Sequence, residues 1–406
     1  MEDSVLADIE VFVGVDVAKG DHYACAVTSA GTEVLARGVC NDEASISRLI
    51  DDAAAHGTVA LVIDTTSSAA SLLLEAAACR EVPVAYVTGL AMRRAADLYA
   101  GAAKTDPKDA AVLADYARRN ADRLTWTAPS DELLARLRIL NGRDADLAAD
   151  ATRAANRLRD ALLAVSPALE RAVGDKVATN PGVRDALARW GTPTALRSAG
   201  RARVRTRIAK RSPRTSERLT EAIWAALDAQ SLTVTAEATW GDTISDLAAD
   251  LDRICVRRSR LTADIEEAFL AHPLGKVLAS LCGFGPRTGA RTLAEIGDPH
   301  RFADGSRLAA YAGLAPVDWQ SGRSATARKP RGGNHRLKNA MFTAAFVAAQ
   351  HDPDARAYYQ RKRSEGKRHN AAVICVARRR CNIILAMLKT QTPYQQPHTA
   401  NLPQAA

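Results

Sequence analysis

Two short stretches near the front of the chain limit its fold more than any other feature. Val11-Phe-Val-Gly-Val-Asp-Val17 and Val59-Ala-Leu-Val-Ile-Asp64 are apolar at almost every position and rich in β-branched residues. A strand with one solvated face alternates apolar and polar residues. A run without alternation reads as a strand buried on both faces. Such strands need helices above and below the sheet. Both runs also close on an acid, Asp16 and Asp64, where a buried strand would reach the sheet edge.

The surrounding pattern agrees. His22–Ser29 and Thr32–Val39 read as strands joined by an Ala30-Gly31 turn. Ile46–Ala55 has helical period, and Ser67–Arg80 is a helix with a serine-rich start. Val82–Val87 is a third apolar strand, followed by a helix near Leu90–Tyr99. Lys104-Thr-Asp-Pro-Lys-Asp109 then opens a helix to about Arg119, with Pro107 in its first turn. Three strands with hairpin links, then strand–helix alternation, predict a mixed sheet with helices on its faces. No glycine-rich phosphate loop follows any strand, so nucleotide binding has no support.

Length and composition bound the rest. The chain has 406 residues, with 47% hydrophobic, 25% charged and only 5% aromatic residues. This is a soluble globular composition of two or three units, with helix-rich packing through small contacts. No apolar run approaches the ~18–20 residues of a membrane span, and the acidic start (Glu2, Asp3, Asp8, Glu10) is unlike a secretory signal. The 7 cysteines are scattered, without a C-x-x-C, as in a reduced cytosolic protein. The 8 histidines do not pair with them at zinc-ligand spacing.

Net charge is +9, but unevenly spread: residues 1–120 sum to −8 and the remainder to +17. An acidic front and a basic back suggest one region that holds cations and another that holds a polyanion. In the front, Asp16 and Asp64 end buried strands, while Asp106 and Asp109 share one face at a helix start. Any one of these acids alone would serve as a turn or cap residue. Together they form an all-oxygen donor set suited to Mg²⁺ or Mn²⁺. Two such ions about 3.5–4 Å apart are the usual device for phosphodiester chemistry.

The middle is helical. Leu133, Leu134, Leu137, Leu140, Leu147, Leu158 and Leu162 give residues 129–165 a long helical period, lined by arginines. This predicts an extended arm, as in a coiled coil that assembles subunits; its arginine stripe fits a solvated face or a nucleic-acid face. Residues 201–214 carry seven basic residues and no acid. That block is expected to stay out of a core and to bind phosphate. Residues 216–270 read as a second helical leg.

Further on, Leu278–Gly297 reads as helix, glycine turn, helix. Gly283 and Gly285 would allow close backbone approach, and the second helix would offer N–H groups to a phosphate, with Arg287 beside them. Next come Tyr311-Ala-Gly-Leu-Ala-Pro316, Gln320-Ser-Gly-Arg323 and Lys329-Pro-Arg-Gly-Gly-Asn-His-Arg-Leu-Lys338. Residues 301–338 hold eight Lys/Arg against two Asp, and residues 355–380 nine basic residues against Glu365. Ala371–Leu388 reads as a helix. Tyr358-Tyr359 with His335-Arg336 lacks the His-x-x-Arg spacing of tyrosine recombinases.

Gly14-Val-Asp-Val-Ala-Lys19 and Lys104–Ala110, followed by the Tyr-x-Gly-Leu-x-Pro, Ser-Gly and Gly-Asn-x-x-Leu elements, resemble the DEDD transposases that use a serine. These are the bridge-RNA-guided recombinases of a bacterial insertion-sequence family. The resemblance runs from about Val11 to Leu388. It departs at the second acid, where the family usually has Glu-Thr-Gly and this chain has Asp64-Thr-Thr-Ser.

The resemblance implies an α/β RNase H-like (RuvC-like) domain at residues 8–125. It implies a helical arm at 130–270 that includes the basic segment 201–214. A C-terminal transposase domain at 273–392 and a disordered tail at 393–406 would follow. Ser321 is the implied nucleophile, with Ser324 its competitor, and Asp16, Asp64, Asp106 and Asp109 hold Mg²⁺. Gly283, Gly285, Arg287, Arg323, Arg328, Lys329, Arg331, Asn334, Arg336 and Lys338 are the expected nucleic-acid contacts. The implied partners are donor and target DNA, a non-coding bridge RNA and further copies of the chain, as a dimer or tetramer, in the bacterial cytoplasm at the nucleoid, with no membrane. The alternative is a metal-dependent junction resolvase without a covalent intermediate.

Overall fold

Strand β1 (Val11–Asp16) is the axis of the first part of the molecule. It pairs antiparallel with β2 (Asp21–Thr28), which pairs antiparallel with β3 (Glu33–Cys40). After α1 (Glu43–Ala54), β4 (Val59–Ile63) returns parallel to β1 on its other side. After α2 (Ser71–Cys79), β5 (Val84–Tyr86) adds parallel to β4. Helices α3 (Gly89–Ala96) and α4 (Asp106–Arg119) precede β6 (Thr125–Trp126), which pairs antiparallel with β5. The sheet order is β3-β2-β1-β4-β5-β6, a mixed sheet as the element order predicts. This computed structural model describes residues 8–65, 67–99, 105–126, 131–321, 324–328, 330 and 332–395.

The unalternating strands are explained by the two-residue side-chain period. Val11, Val13, Val15, Leu61 and Ile63 point to one face and pack with Ile46, Leu49 and Ile50 of α1 and Leu73 of α2. Phe12, Ala60 and Val62 point to the other, against Met92 of α3 and Val112 and Leu113 of α4. Both faces are covered, so no position can be polar. Several boundaries differ from expectation, two of them with a local cause. Helix α1 begins earlier, because Asp42 caps it by accepting the Ser45 N–H at 2.7 Å. The segment expected as one helix from Ser67 starts with a single 3₁₀ turn, Ser68–Ala70, ahead of α2.

The described residues fall into two compact units: those of 8–132 with 298–303, and those of 133–297 with 304–395. The second unit is helical apart from one hairpin. It opens with α5 (Glu132–Val165), followed by α6 (Pro167–Val173), α7 (Pro181–Arg189), α8 (Pro193–Ala199), α9 (Arg201–Arg211), α10 (Ser216–Asp228) and α11 (Glu237–Ala271). Leu158 and Leu162 of α5, Val183 and Leu187 of α7, Leu219 and Ile223 of α10 and Ile244, Ala248 and Leu251 of α11 share one core.

Helix α9 corrects the expectation for the basic segment. Val204 and Ile208, one turn apart, are fully buried in that core. The arginines occupy the rest of the helix circumference, so a block without acids still contributes a core stripe.

The chain continues through α12 (Pro273–Ala279), α13 (Pro286–Ile296) and α14 (Gly305–Tyr311) to the hairpin β7 (Val317–Ser321) and β8 (Ser324–Arg328). Helices α15 (His335–His351), α16 (Pro353–Ser364) and α17 (His369–Thr390) complete it. Apart from 131–132 and 298–303, the described residues of the expected segments 130–270 and 273–392 lie in the same compact unit. Of the expected tail, residues 396–406 lie outside the described residues. No helix among the described residues is long and apolar enough to cross a membrane.

Candidate active site

The first candidate site is the sheet end where β1 and β4 stop. The two strands are parallel neighbours with Val15 opposite Ile63. The next residues, Asp16 at the end of β1 and Asp64 just after β4, therefore lie at the same sheet end, and both are half-buried. The loop after Asp16 is held by His22, whose Nδ1 accepts the Ala18 N–H at 3.2 Å. Burial holds the His22 imidazole below its usual pKa, which favours the neutral ring that this acceptor role requires.

Helix α4 delivers the other two acids to the same end. It lies across β1 backbone to backbone: a methyl group at Gly14 would sit 2.2 Å from the Ala110 carbonyl oxygen and 2.5 Å from the Ala114 nitrogen. The helix runs antiparallel to β1. Val112, Leu113 and Ala117 pack with Ile9 and Phe12 at the strand's start. Beyond them, Arg118 Nη1 donates to the Ser29 carbonyl at 3.3 Å. The α4 N-terminus, with Asp106 and Asp109 in its first turn, is thus directed to the Asp16 end. Thr105 caps it, its Oγ1 accepting the Lys108 N–H at 3.4 Å. Asp106 is exposed and Asp109 half-buried. Lys104 lies outside the described residues.

All four groups are carboxylates, hard oxygen donors of the kind Mg²⁺ takes. The topology brings them to one sheet end. It does not gather their side chains fully: among the described residues, no three His, Cys, Asp or Glu side chains stand together as a metal-holding group.

The second candidate site is the β7–β8 hairpin of the other unit. Ser321 ends β7, Ser324 opens β8, and the two are register partners. Both serines weighed from the sequence therefore stand at the hairpin tip. Gly322 and Arg323 between them lie outside the described residues, as do Lys329 and Arg331. Arg328 is exposed at the far end of β8.

The base of the hairpin explains the motifs flanking it. Gly313 (φ +65°) and Gly333 (φ +109°) cross back to back: a methyl group on Gly333 would lie 2.7 Å from the Gly313 Cα, and one on Gly313 2.7 Å from the Gly332 oxygen. Only glycine meets both the positive φ and the close crossing. Beside them, the Asn334 N–H donates to the Tyr311 carbonyl at 2.7 Å. The Asn334 side chain donates to Glu295 Oε2 at 2.7 Å and to the Tyr311 hydroxyl at 3.1 Å, while its Oδ1 caps α15 by accepting the Leu337 N–H at 3.0 Å. Arg336 stands 3.9 Å from Glu295 and Lys338 is half-buried in the first turn of α15. Leu314 and Leu337 are buried on either side of the crossing. Glu295, the acid at the centre of this network, belongs to no motif. Its role is set by residues 16 and 39 positions away, which no local pattern reports.

The expected nucleic-acid contacts around the glycine turn are partly occupied within the fold. Gly283 (φ +92°) makes its close approach to α15, where a methyl group would meet the Ala344 oxygen at 2.3 Å. Arg287 hydrogen-bonds Thr262 and lies 3.7 Å from Asp144. Asp144 is buried, and also takes a two-pronged contact from Arg258 at 3.0 and 3.3 Å and a contact from Arg291 at 3.5 Å. Gly285, which opens α13, has open space around its Cα.

Residues 13–167 match a DEDD transposase family of the IS110 type, described as "Transposase", and residues 275–360 match "Transposase IS116/IS110/IS902 family". The chain is 42% identical to the insertion element IS110 uncharacterized 43.6 kDa protein of Streptomyces coelicolor, over 98% of this chain and 99% of that one. It is 37% identical to the insertion element IS900 uncharacterized 42 kDa protein of Mycobacterium paratuberculosis, over 96% and 98% of the two chains. It is 36% identical to the insertion element IS116 uncharacterized 44.8 kDa protein of Streptomyces clavuligerus, over 93% and 94%. The first matched segment spans all four acids and the second spans the hairpin. The chain therefore belongs to the IS110/IS116/IS902 family of insertion-element transposases, enzymes that cut DNA and transfer its strands.

Proposed function

We propose that this transposase exchanges DNA strands through a covalent phosphoserine intermediate on Ser321, assisted by a carboxylate site of RuvC-like, RNase H type. The observation that carries the reading is the delivery of four separately encoded carboxylates to one sheet end. Asp16 and Asp64 follow the last register pair of β1 and β4, Val15 with Ile63, and the Gly14 crossing directs Asp106 and Asp109 to the same end. Drawn together there, such acids would repel one another unless a cation joined them. Mg²⁺ or Mn²⁺ held by Asp16, Asp64, Asp106 and Asp109 would supply Lewis-acid stabilisation of phosphoryl oxygens.

The serine step is a balanced exchange. The Ser321 hydroxyl attacks a backbone phosphorus; the bond from phosphorus to one sugar oxygen breaks, and the serine proton passes to the departing hydroxyl. A hydroxyl from the second DNA partner then attacks the same phosphorus. The serine ester breaks and Ser321 recovers a proton. One diester replaces another, so no external energy source is needed. A serine hydroxyl is a weak nucleophile, and the basic residues near it in sequence (Arg323, Arg328, Lys329, Arg331, Arg336, Lys338) would offset the charge that develops on phosphate. The resemblance further proposes a bridge RNA, transcribed from the element, that pairs with donor and target, and a dimer or tetramer as the working form.

Ser321→Ala, Ser324→Ala and Asp16→Asn, each assayed for DNA binding and for strand transfer on supercoiled donor and target, test the proposal. Ser321→Ala and Asp16→Asn are expected to bind DNA and transfer no strands, while Ser324→Ala retains transfer. Full transfer by Ser321→Ala would remove the serine assignment. Loss in Asp16→Asn alone would leave a metal-dependent resolvase with water as nucleophile.

A further inference from the structure

The seven basic residues of 201–214 divide into two sets once folded. Arg205 pairs with Glu217 at 3.1 Å, and Arg201 lies 3.9 Å from both Glu217 and Glu221. Arg207 pairs with Asp185 at 2.9 Å and Arg211 with Asp252 at 2.7 Å. These four fasten α9 to its neighbours. Arg203, Lys210 and Arg214 are exposed and have no acidic partner among the described residues. Arg203 and Lys210 are seven residues apart, so they share one face of α9, about 10 Å apart along its axis.

That face forms one wall of a groove of about 340 Å³, lined by Trp190, Ala202, Arg203, Thr206, Arg207 and Lys210. No lining residue is acidic. Trp190 follows the end of α7 and is half-buried. Its ring is held by Arg207, whose guanidinium carbon lies 5.7 Å from the indole centroid and whose Nε and Nη2 donate to the Asp185 carbonyl and carboxylate. The groove thus combines a fixed aromatic ring with two unengaged cations spaced along one helix face. It also lies in residues 168–274, between the two family-matched segments.

We infer that this groove binds a single-stranded segment of nucleic acid, with phosphates on Arg203 and Lys210 and an unpaired base against Trp190. A base in a duplex is stacked on its neighbours and cannot offer its face to a side chain; an unpaired one can. Cations flanking an aromatic platform are the recurrent design for binding single strands without sequence readout. The inference rests on the family's action on nucleic acid and not on the serine chemistry, so strand-transfer results with Ser321 variants leave it untouched.

The full-length protein should be irradiated with oligonucleotides of about 12 nucleotides, DNA and RNA, carrying 5-iodouracil, and its cross-linked peptides mapped. The same protein and its variants should be titrated by fluorescence anisotropy over a range of salt. Cross-linking at Trp190 is expected with DNA, RNA or both, and the better substrate identifies the strand. The Arg203→Ala/Lys210→Ala double variant is expected to bind single strands about tenfold more weakly. Its salt slope should fall by about 1.4, since each contact contributes about 0.7 for a single strand. Trp190→Leu should lose about as much, while Trp190→Phe, which keeps an aromatic face, should bind nearly as wild type. Both changed charges are exposed, so the double variant keeps its fold. Cross-links mapping only elsewhere, together with a double variant whose affinity and salt slope match wild type, would overturn the inference. A duplex that loses as much affinity as the single strands would overturn the assignment to an unpaired strand.

Discussion

Gly14 is where a single residue decides whether the acids can work together. With no side chain there, α4 touches β1 through backbone, and Asp106 and Asp109 are carried toward the Asp16 end. Gly14→Ala places a methyl group within 2.2 Å of the Ala110 oxygen, and neither a buried strand nor a helix backbone can yield cheaply. The expected cost is about 2–3 kcal/mol, measured by chemical denaturation, with strand transfer lost in protein that remains folded. Unchanged activity at full stability would show that the position of α4 is not critical. Gly14 was visible in the sequence only as part of a motif. The placement of Asp16 and Asp64 at strand ends was legible because the two apolar runs stop at them. Glu295 and Asp144 were not, since their partners stand far away in sequence and carry no periodicity.

Elements are held in register by contacts of the same long-range kind. The β7–β8 hairpin is fixed at its base by the Gly313–Gly333 crossing and by Asn334, which joins Tyr311, Glu295 and the start of α15. Asn334→Ala removes an N-cap worth about 1 kcal/mol. It should therefore lower stability modestly and strand transfer severely, with DNA affinity kept. A loss of affinity matching the loss of transfer would instead mark Asn334 as a DNA contact. Helix α9 is tied to α7 and α11 through Asp252, which takes hydrogen bonds from Arg184 at 3.0 Å and Arg211 at 2.7 Å. Burial alone would raise the Asp252 carboxyl's pKa, but the two arginines outweigh it and hold it below the usual carboxylate range. A carboxyl with a depressed folded pKa stabilises the fold above its unfolded value, about 3.9, and that stability disappears as pH falls through the folded value. Asp252→Asn should cost about 2 kcal/mol at pH 7, and the difference from wild type should shrink as pH drops below about 4. A difference that stays constant with pH would show that the ion pairs contribute nothing. The helical period of α9 was readable in Val204 and Ile208, yet seven basic residues obscured it, because composition alone does not say how many cations meet acids from other helices.

Across the whole molecule, the uneven charge of the sequence maps onto two kinds of unit. An acidic α/β unit carries the four carboxylates, and a basic, mainly helical unit carries the hairpin. The mixed sheet and the helical remainder were legible because strand and helix periods differ and both faces of the sheet are apolar. The packing of segments 166–235 into one core with the long helices was not, since it depends on contacts between distant helices. Family membership rests on two matched segments in a fixed order and on relatives that match almost the whole chain. The central claim is that strand transfer passes through Ser321. It is tested most directly by incubating the full-length protein with Mg²⁺, the element's RNA and supercoiled donor and target DNA, then denaturing the mixture and mapping any peptide that remains joined to DNA. A DNA-linked peptide modified at Ser321, and absent from Ser321→Ala, is expected. Strand cleavage with no protein–DNA adduct at any time point would contradict the claim.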